Sequence, residues 1–216
     1  MPTNERFVER LNTSTVQLSV AVRLTDSYSG NPPLGRVDVE LSETRVQPVF
    51  SVGGHYLFFD LNEKPEQRTV VISGDDRYLP ASETVTVAAL DPLHPVVEVP
   101  LTPSPAYPFD PWVTLVRGRV VTETGDPLAD AVVTLSGVDS AGRADDRGEF
   151  VVALPDLGPN DVVEHDGRRI VAPGGDPLVA TATHPTLDDA SDPTEVTVAE
   201  GGQVSLELVV NNMIDR

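Results

Sequence analysis

Four histidines, four tyrosines and 34 acidic residues are the groups from which this 216-residue chain would have to build a catalytic or metal centre. Their spacing does not supply one. A zinc peptidase needs His-x-x-Glu or His-Glu-x-x-His, because ligands on one local element must converge on one ion. None of His55, His94, His165 and His184 has a glutamate three positions later. A Gly-x-Ser-x-Gly nucleophile elbow is missing, as are a phosphate-cradling loop and a dinucleotide fingerprint. The chain has no cysteine, which excludes disulfides and thiolate metal sites. The pairs Asp75-Asp76, Asp145-Asp146 and Asp188-Asp189 offer oxygen ligands, but Ca²⁺ takes six to eight of them, and these pairs read as solvated turns. The expectation is a protein that is not an enzyme and needs no cofactor or metal.

The residues with the strongest claim to binding are aromatic. Residues 101–112, LTPSPAYPFDPW, set four prolines among apolar residues and carry the chain's single tryptophan. Proline fixes φ and pushes its predecessor toward extended backbone, so residues 103–113 read as a stiff linker. Tyr107, Phe109 and Trp112 are the candidate interaction residues. Either they fill the junction between the flanking segments, or they stand exposed for a partner, as Tyr and Trp do at binding hot spots.

The flanking segments read as strands. Leu18, Val20, Val22 and Leu24 alternate with Ser19, Ala21 and Arg23, and Val37, Val39 and Leu41 alternate with charged residues. Period-two alternation puts one face on a core and the other in water. Twenty prolines and sixteen glycines punctuate such runs at short intervals, as in antiparallel sandwiches. The order of runs also repeats. Leu18–Asp26, Pro33–Leu41, Gly53–Leu61, Arg68–Ile72 and Val96–Leu101 are followed by Leu115–Glu123, Pro127–Leu135, Arg147–Pro155, Leu178–Ala182 and Val204–Val210. The expectation is an all-β chain of two consecutive immunoglobulin-like sandwiches: an arm or short helix over 1–14, domain 1 over 15–102, the linker over 103–113, and domain 2 over 114–216. The polar stretches 157–176 and 184–193 read as long contact loops.

Residues 115–135, LVRGRVVTETGDPLADAVVTL, followed by Asp146-Arg147-Gly148-Glu149-Phe150-Val151, resemble the carboxypeptidase regulatory-like (transthyretin-like) sandwich family. The pattern rests on Gly118, Gly125, Pro127, Leu128, Ala131, Val132 and Val133, with Phe150 plugging the core. In the first half Tyr56 takes the place of Phe150. Tyr78-Leu79-Pro80 with Pro103–Phe109 is similar to two-domain proteins associated with contractile, phage-tail-like machinery. The resemblance implies a sandwich used for spacing, docking or adhesion. Intradiol dioxygenases open with a similar strand pair but hold iron with two tyrosines and two histidines. Here all four tyrosines precede the second copy and no His-x-His occurs.

The charge, −19 from 34 acidic and 15 basic residues, repels nucleic acid and anionic lipid. With one lysine, Lys64, against fourteen arginines, the composition resembles that of halophilic archaea, where molar salt screens such self-repulsion. No apolar run is long enough for a membrane helix, and the first 20 residues lack the pattern of a secretory signal. The reading is synthesis in the cytoplasm without a signal peptide, with export only inside a larger particle. The expected partners are other protein subunits of a phage-tail-like, contractile or virion assembly, with self-association open; a cell-surface adhesion or carbohydrate-binding module is the alternative.

Overall fold

In a computed structural model of the protein, the described residues are 16–61, 66–73, 76–187 and 189–211. The expected arm over 1–14 lies outside them, as do Asp75 and Asp188. The chain is all-β; among the described residues the helical content is two single 3₁₀ turns, Val87–Ala89 and Pro173–Gly175.

The N-terminal half holds β1 (Leu18–Asp26), β2 (Asp38–Leu41), β3 (Val49–Phe50), β4 (His55–Phe59), β5 (Gln67–Ser73), β6 (Ala81–Thr86) and β7 (Val96–Leu101). One sheet runs β3-β4-β1-β7 and the other β2-β5-β6. Between them lies a core that includes Val20, Val22, Leu24, Val39, Phe58, Val70, Ile72 and Leu101. The alternation seen in the sequence is what fills it: Val39 and Leu41 are buried while Asp38 and Glu40 are exposed. Each fully buried large side chain, such as Phe58, stabilises the fold by roughly 1.5–3 kcal/mol.

The C-terminal half holds β8 (Thr114–Thr122), β9 (Val132–Leu135), β10 (Ala141–Arg143), β11 (Glu149–Leu154), β12 (Val162–His165), β13 (Arg168–Val171), β14 (Leu178–Thr183), β15 (Thr194–Val196) and β16 (Gln203–Val210). Its sheets run β11-β8-β16 and β10-β9-β14-β15, over a separate core centred on Val116, Val120, Phe150, Leu178 and Leu208.

Pairing is antiparallel with one correction in each half. β7 lies parallel to β1 and β16 parallel to β8. In each half the last strand reaches this sheet by crossing from the opposite one, so it is not joined to its neighbour by the tight hairpin that antiparallel order requires. A second correction concerns residues 157–176, expected as a loop. They contain the β12–β13 hairpin. Its turn residues Asp166 and Gly167 both have positive φ, at 50° and 75°, which is the two-residue turn that Asp-Gly favours.

The halves share a strand pattern, with the β12–β13 hairpin added in the second and one strand placed differently. Val22 lies opposite Tyr56 as Gly118 lies opposite Phe150. Gly118 has no room for a side chain: a Cβ there would stand 1.9 Å from the Leu206 carbonyl oxygen. The rearrangement is in the third strand. β10 pairs with β9, whereas its counterpart β3 pairs with β4 in the opposite sheet.

Candidate interaction site at the junction of the two halves

The segment 103–113, read as a stiff linker, is hydrogen-bonded to the N-terminal half at its start. Leu79 N–H donates to the Thr102 carbonyl at 2.9 Å and Ser104 N–H to the Arg77 carbonyl at 2.8 Å. Tyr78 and Pro103 form the bridge between these bonds. Residues 102–104 are therefore tied to Arg77, Tyr78 and Leu79 of the N-terminal half by one isolated β-bridge.

Next to this bridge a polar cluster is buried. Asp26 closes β1 at an inward position and is fully buried. Its Oδ1 accepts the Tyr28 N–H at 2.8 Å and the Ser29 N–H at 3.3 Å. Its Oδ2 accepts the Tyr107 hydroxyl at 2.5 Å and the Tyr78 hydroxyl at 3.0 Å. Tyr78 in turn accepts the Leu34 N–H at 2.8 Å. A buried carboxylate is tolerated only when so fully bonded. Burial, followed by the bond to Asp26, pushes the Tyr78 hydroxyl up to about 12, even though the Leu34 N–H pulls the other way. The same two causes raise Tyr107, burial again first. Both tyrosines therefore stay protonated and donating at neutral pH.

Aromatic rings extend the cluster toward the C-terminal half. Tyr28 meets Phe109 edge-on at 5.1 Å between centroids, and Tyr107 lies 4.6 Å from Phe109. Tyr28 and Phe109 then pack on Val113, Leu115 and Val151 of the following half. Arg117 of β8 stands over the Phe109 ring at 5.8 Å and donates to the Pro105 carbonyl at 2.6 Å. Burial lowers its pKa. Arg143 of β10 donates to the Pro80 carbonyl at 2.5 Å. Arg117 thus ties the C-terminal half to the proline-rich segment, and Arg143 ties it to the N-terminal half.

Of the three aromatic residues singled out from the sequence, the structure brings two together. Tyr107 is buried and Phe109 half-buried in the junction, whereas Trp112 is 71% exposed. Sequence reading missed Asp26, Tyr28, Tyr78 and Arg117. The available signal was Asp26 itself, a charge at the inward position that closes the run Leu18–Leu24.

Two clefts flank the junction. One, about 660 Å³, is lined by Tyr28, Phe109, Asp139, Asp156 and Asp161, with no basic side chain. The other, about 890 Å³, mixes Asp76, Asp145 and Asp146 with Arg143 and Arg147. Asp145 is occupied as a turn cap, its Oδ1 accepting the N–H groups of Arg147 and Glu149, each at 2.9 Å. Among the described residues no three His, Cys, Asp or Glu side chains stand close enough to hold a metal ion. Nor, among them, is any helix long and apolar enough to cross a membrane.

No family model and no curated protein matches the chain. Solved structures do match, at low identity. A streptococcal ancillary pilin is 11% identical over 92% of this chain and 69% of its own, with a TM-score of 0.33. A family CBM26 carbohydrate-binding module of Eubacterium rectale Amy13K, solved with maltoheptaose, is 11% identical over 89% and 92%, with a TM-score of 0.26. Chlorocatechol 1,2-dioxygenase from Pseudomonas putida is 14% identical over 49% and 63%, with a TM-score of 0.25. Against the Bacillus anthracis TIE protein, 12% identical with a TM-score of 0.30, the match covers 90% of this chain but only 34% of that one. At these scores the likenesses carry no functional assignment.

Proposed function

We propose that the chain is a non-enzymatic structural or adhesion protein whose two β-sandwich domains, 15–102 and 114–216, are held at a set angle by the segment 103–113 and present a contact surface to a partner. The observation that supports this is the division of the aromatic residues. Tyr107 and Phe109 are spent on rigidity, while Trp112 stands 71% exposed beside them. An exposed indole on a rigid support is the kind of anchor that dominates protein interfaces.

The partner in this reading is another protein subunit of a surface or of a larger assembly. Net charge −19 disfavours nucleic acid and anionic lipid. The narrower placement in a tail-like or virion-like particle of a halophile is supported only by the Pro103–Phe109 resemblance and the acidic, lysine-poor composition. A carbohydrate partner is the second reading, favoured by the cleft that sets Tyr28 and Phe109 beside Asp139 and Asp156. Aromatic faces with a few placed polar groups suit a sugar ring.

The test is binding of the purified protein, in molar salt, to surface material prepared from its source cells. Trp112→Ala is expected to weaken binding at least tenfold. Equal binding by wild type and variant would defeat the reading. Competition by free oligosaccharide would select the carbohydrate version, and a stoichiometric transition metal in the purified protein would overturn both.

A further inference from the structure

The rearranged third strand leaves one sheet edge open. In the C-terminal half, β10 covers the outer edge of β9: Gly142 lies opposite Val133, and Ala144 N–H donates to the Ala131 carbonyl at 2.8 Å. Val37 and Val39 of the N-terminal half correspond to Ala131 and Val133, since Val39 faces Ile72 on β5 as Val133 faces Ala182 on β14. Among the described residues no strand lies beside them. Tyr56 supplies the missing partner at one position only. Its hydroxyl donates to the Val37 carbonyl at 2.7 Å and accepts the Val37 N–H at 3.3 Å. Phe150, at the same place in the other half, has no such duty because Ala144 performs it.

The next two outward positions have no substitute. Ser42 N–H donates to the Thr69 carbonyl, so antiparallel alternation directs the backbone groups of Glu40 and Asp38 to β5 and those of Val39 and Leu41 outward. Among the described residues no backbone or side-chain group bonds these outward groups. Val39 lines a groove of about 100 Å³ walled on the far side by Gln47 and Pro48. This wall is not hydrogen-bonded to β2, and proline has no N–H with which to pair. An unpaired edge of this kind is a template for another strand.

We infer that the outer edge of β2 accepts an extended, arginine-bearing segment of a partner protein, which pairs antiparallel with Val39 and Leu41. The occupant's chemistry follows from the edge. Asp38 and Glu40 are the exposed side chains flanking the two open positions, so outward residues of an added strand sit next to carboxylates. The strand that fills the equivalent edge, Ala141-Gly142-Arg143, sets its arginine opposite Val132, the counterpart of Asp38, while the exposed Arg36 stands where the other half has Asp130. A second copy pairing β2 with β2 would set Glu40 and Asp38 against their own kind, and like charges opposed across strands destabilise. The entering strand moves Gln47 and Pro48 aside, and Val49, Phe50 and Val52, all exposed just beyond them, offer apolar contact. This inference rests on the proposed role in partner binding and gives it a second, separate surface.

The experiment is residue-resolved amide hydrogen exchange with and without the capped peptide Arg-Ala-Arg-Ala-Arg-Ala, with Glu-Ala-Glu-Ala-Glu-Ala as control. In the free protein the Val39 and Leu41 amides are expected to exchange at least tenfold faster than Val133. The basic peptide slows these two at least fivefold, and the acidic peptide does not. Asp38→Lys with Glu40→Lys, both on the exposed face, abolishes the slowing. Protection of Val39 and Leu41 in the free chain, equal slowing by both peptides, or no slowing would overturn the inference. Retained Trp112-dependent binding with no response at the edge defeats the strand acceptor alone. A response at the edge with Trp112-independent binding defeats the Trp112 reading alone.

Discussion

The Tyr107 hydroxyl donates to Oδ2 of Asp26 at 2.5 Å across 81 residues of sequence. That bond fastens the proline-rich segment to the end of β1, and the rings of Tyr28 and Phe109 carry the attachment into the next half. The contacts that join the proline-rich segment to both halves start at this pair.

Asp26→Ala is therefore expected to cost about 3 kcal/mol or more, since it strands two buried hydroxyls and removes the acceptor for two backbone N–H groups. Tyr107→Phe removes one donor and should cost about 1–2 kcal/mol. Urea unfolding of the two variants against wild type gives both values, and an Asp26→Ala cost no larger than that of Tyr107→Phe would contradict the shared-acceptor geometry.

Alkaline stability follows from the same cluster. Below pH 10 both tyrosines keep their protons in the folded and unfolded chain alike, so their contribution is fully present. Between 10 and about 12 the unfolded chain releases the Tyr78 proton and the folded chain does not. Stability therefore falls as pH rises, by at most ~1.4 kcal/mol per pH unit for each tyrosine. The urea midpoint of wild type should drop through this window, and the double variant Tyr78→Phe with Tyr107→Phe should start lower and fall less steeply.

Tyr56 and Phe150 are equivalent positions with opposite needs. Tyr56→Phe leaves the buried Val37 N–H and C=O without their partner and should cost about 1–3 kcal/mol in thermal or urea unfolding. Phe150→Tyr brings a hydroxyl to a site whose carbonyl is already served by Ala144, and it should destabilise as well rather than stabilise.

Gly118→Ala should be among the most damaging single changes, costing upward of about 3 kcal/mol, because the new methyl would overlap the Leu206 carbonyl on the adjacent strand β16. An unfolding midpoint close to wild type would show that β8 and β16 can separate there.

The all-β class, the order of the strands and the inward faces were legible because period-two alternation reports burial directly. Val39 with Leu41 and Val20 with Val22 are buried as read. The resemblance marked Gly118 and Phe150; Gly118 stands against the Leu206 carbonyl with no room for a side chain, and Phe150 is buried in the core. The β12–β13 hairpin was legible in Asp166-Gly167 but was hidden by the polar residues Glu164, His165, Arg168 and Arg169 around it. Which sheet takes the third strand was not legible, because β3 and β10 are too short for alternation to choose a side. The Asp26 cluster was obscured for a related reason: its members lie 52 and 81 residues apart, and no local spacing connects them.

Trp112 is the chain's single tryptophan, so its fluorescence reports on the proposed contact surface without labels. The most direct test is iodide quenching of that emission in the free protein and after binding to surface material from the source cells. The account predicts free access to iodide in the isolated chain, matching 71% exposure, and strong protection once bound. Bound protein whose tryptophan stays as accessible as in the free chain would contradict it.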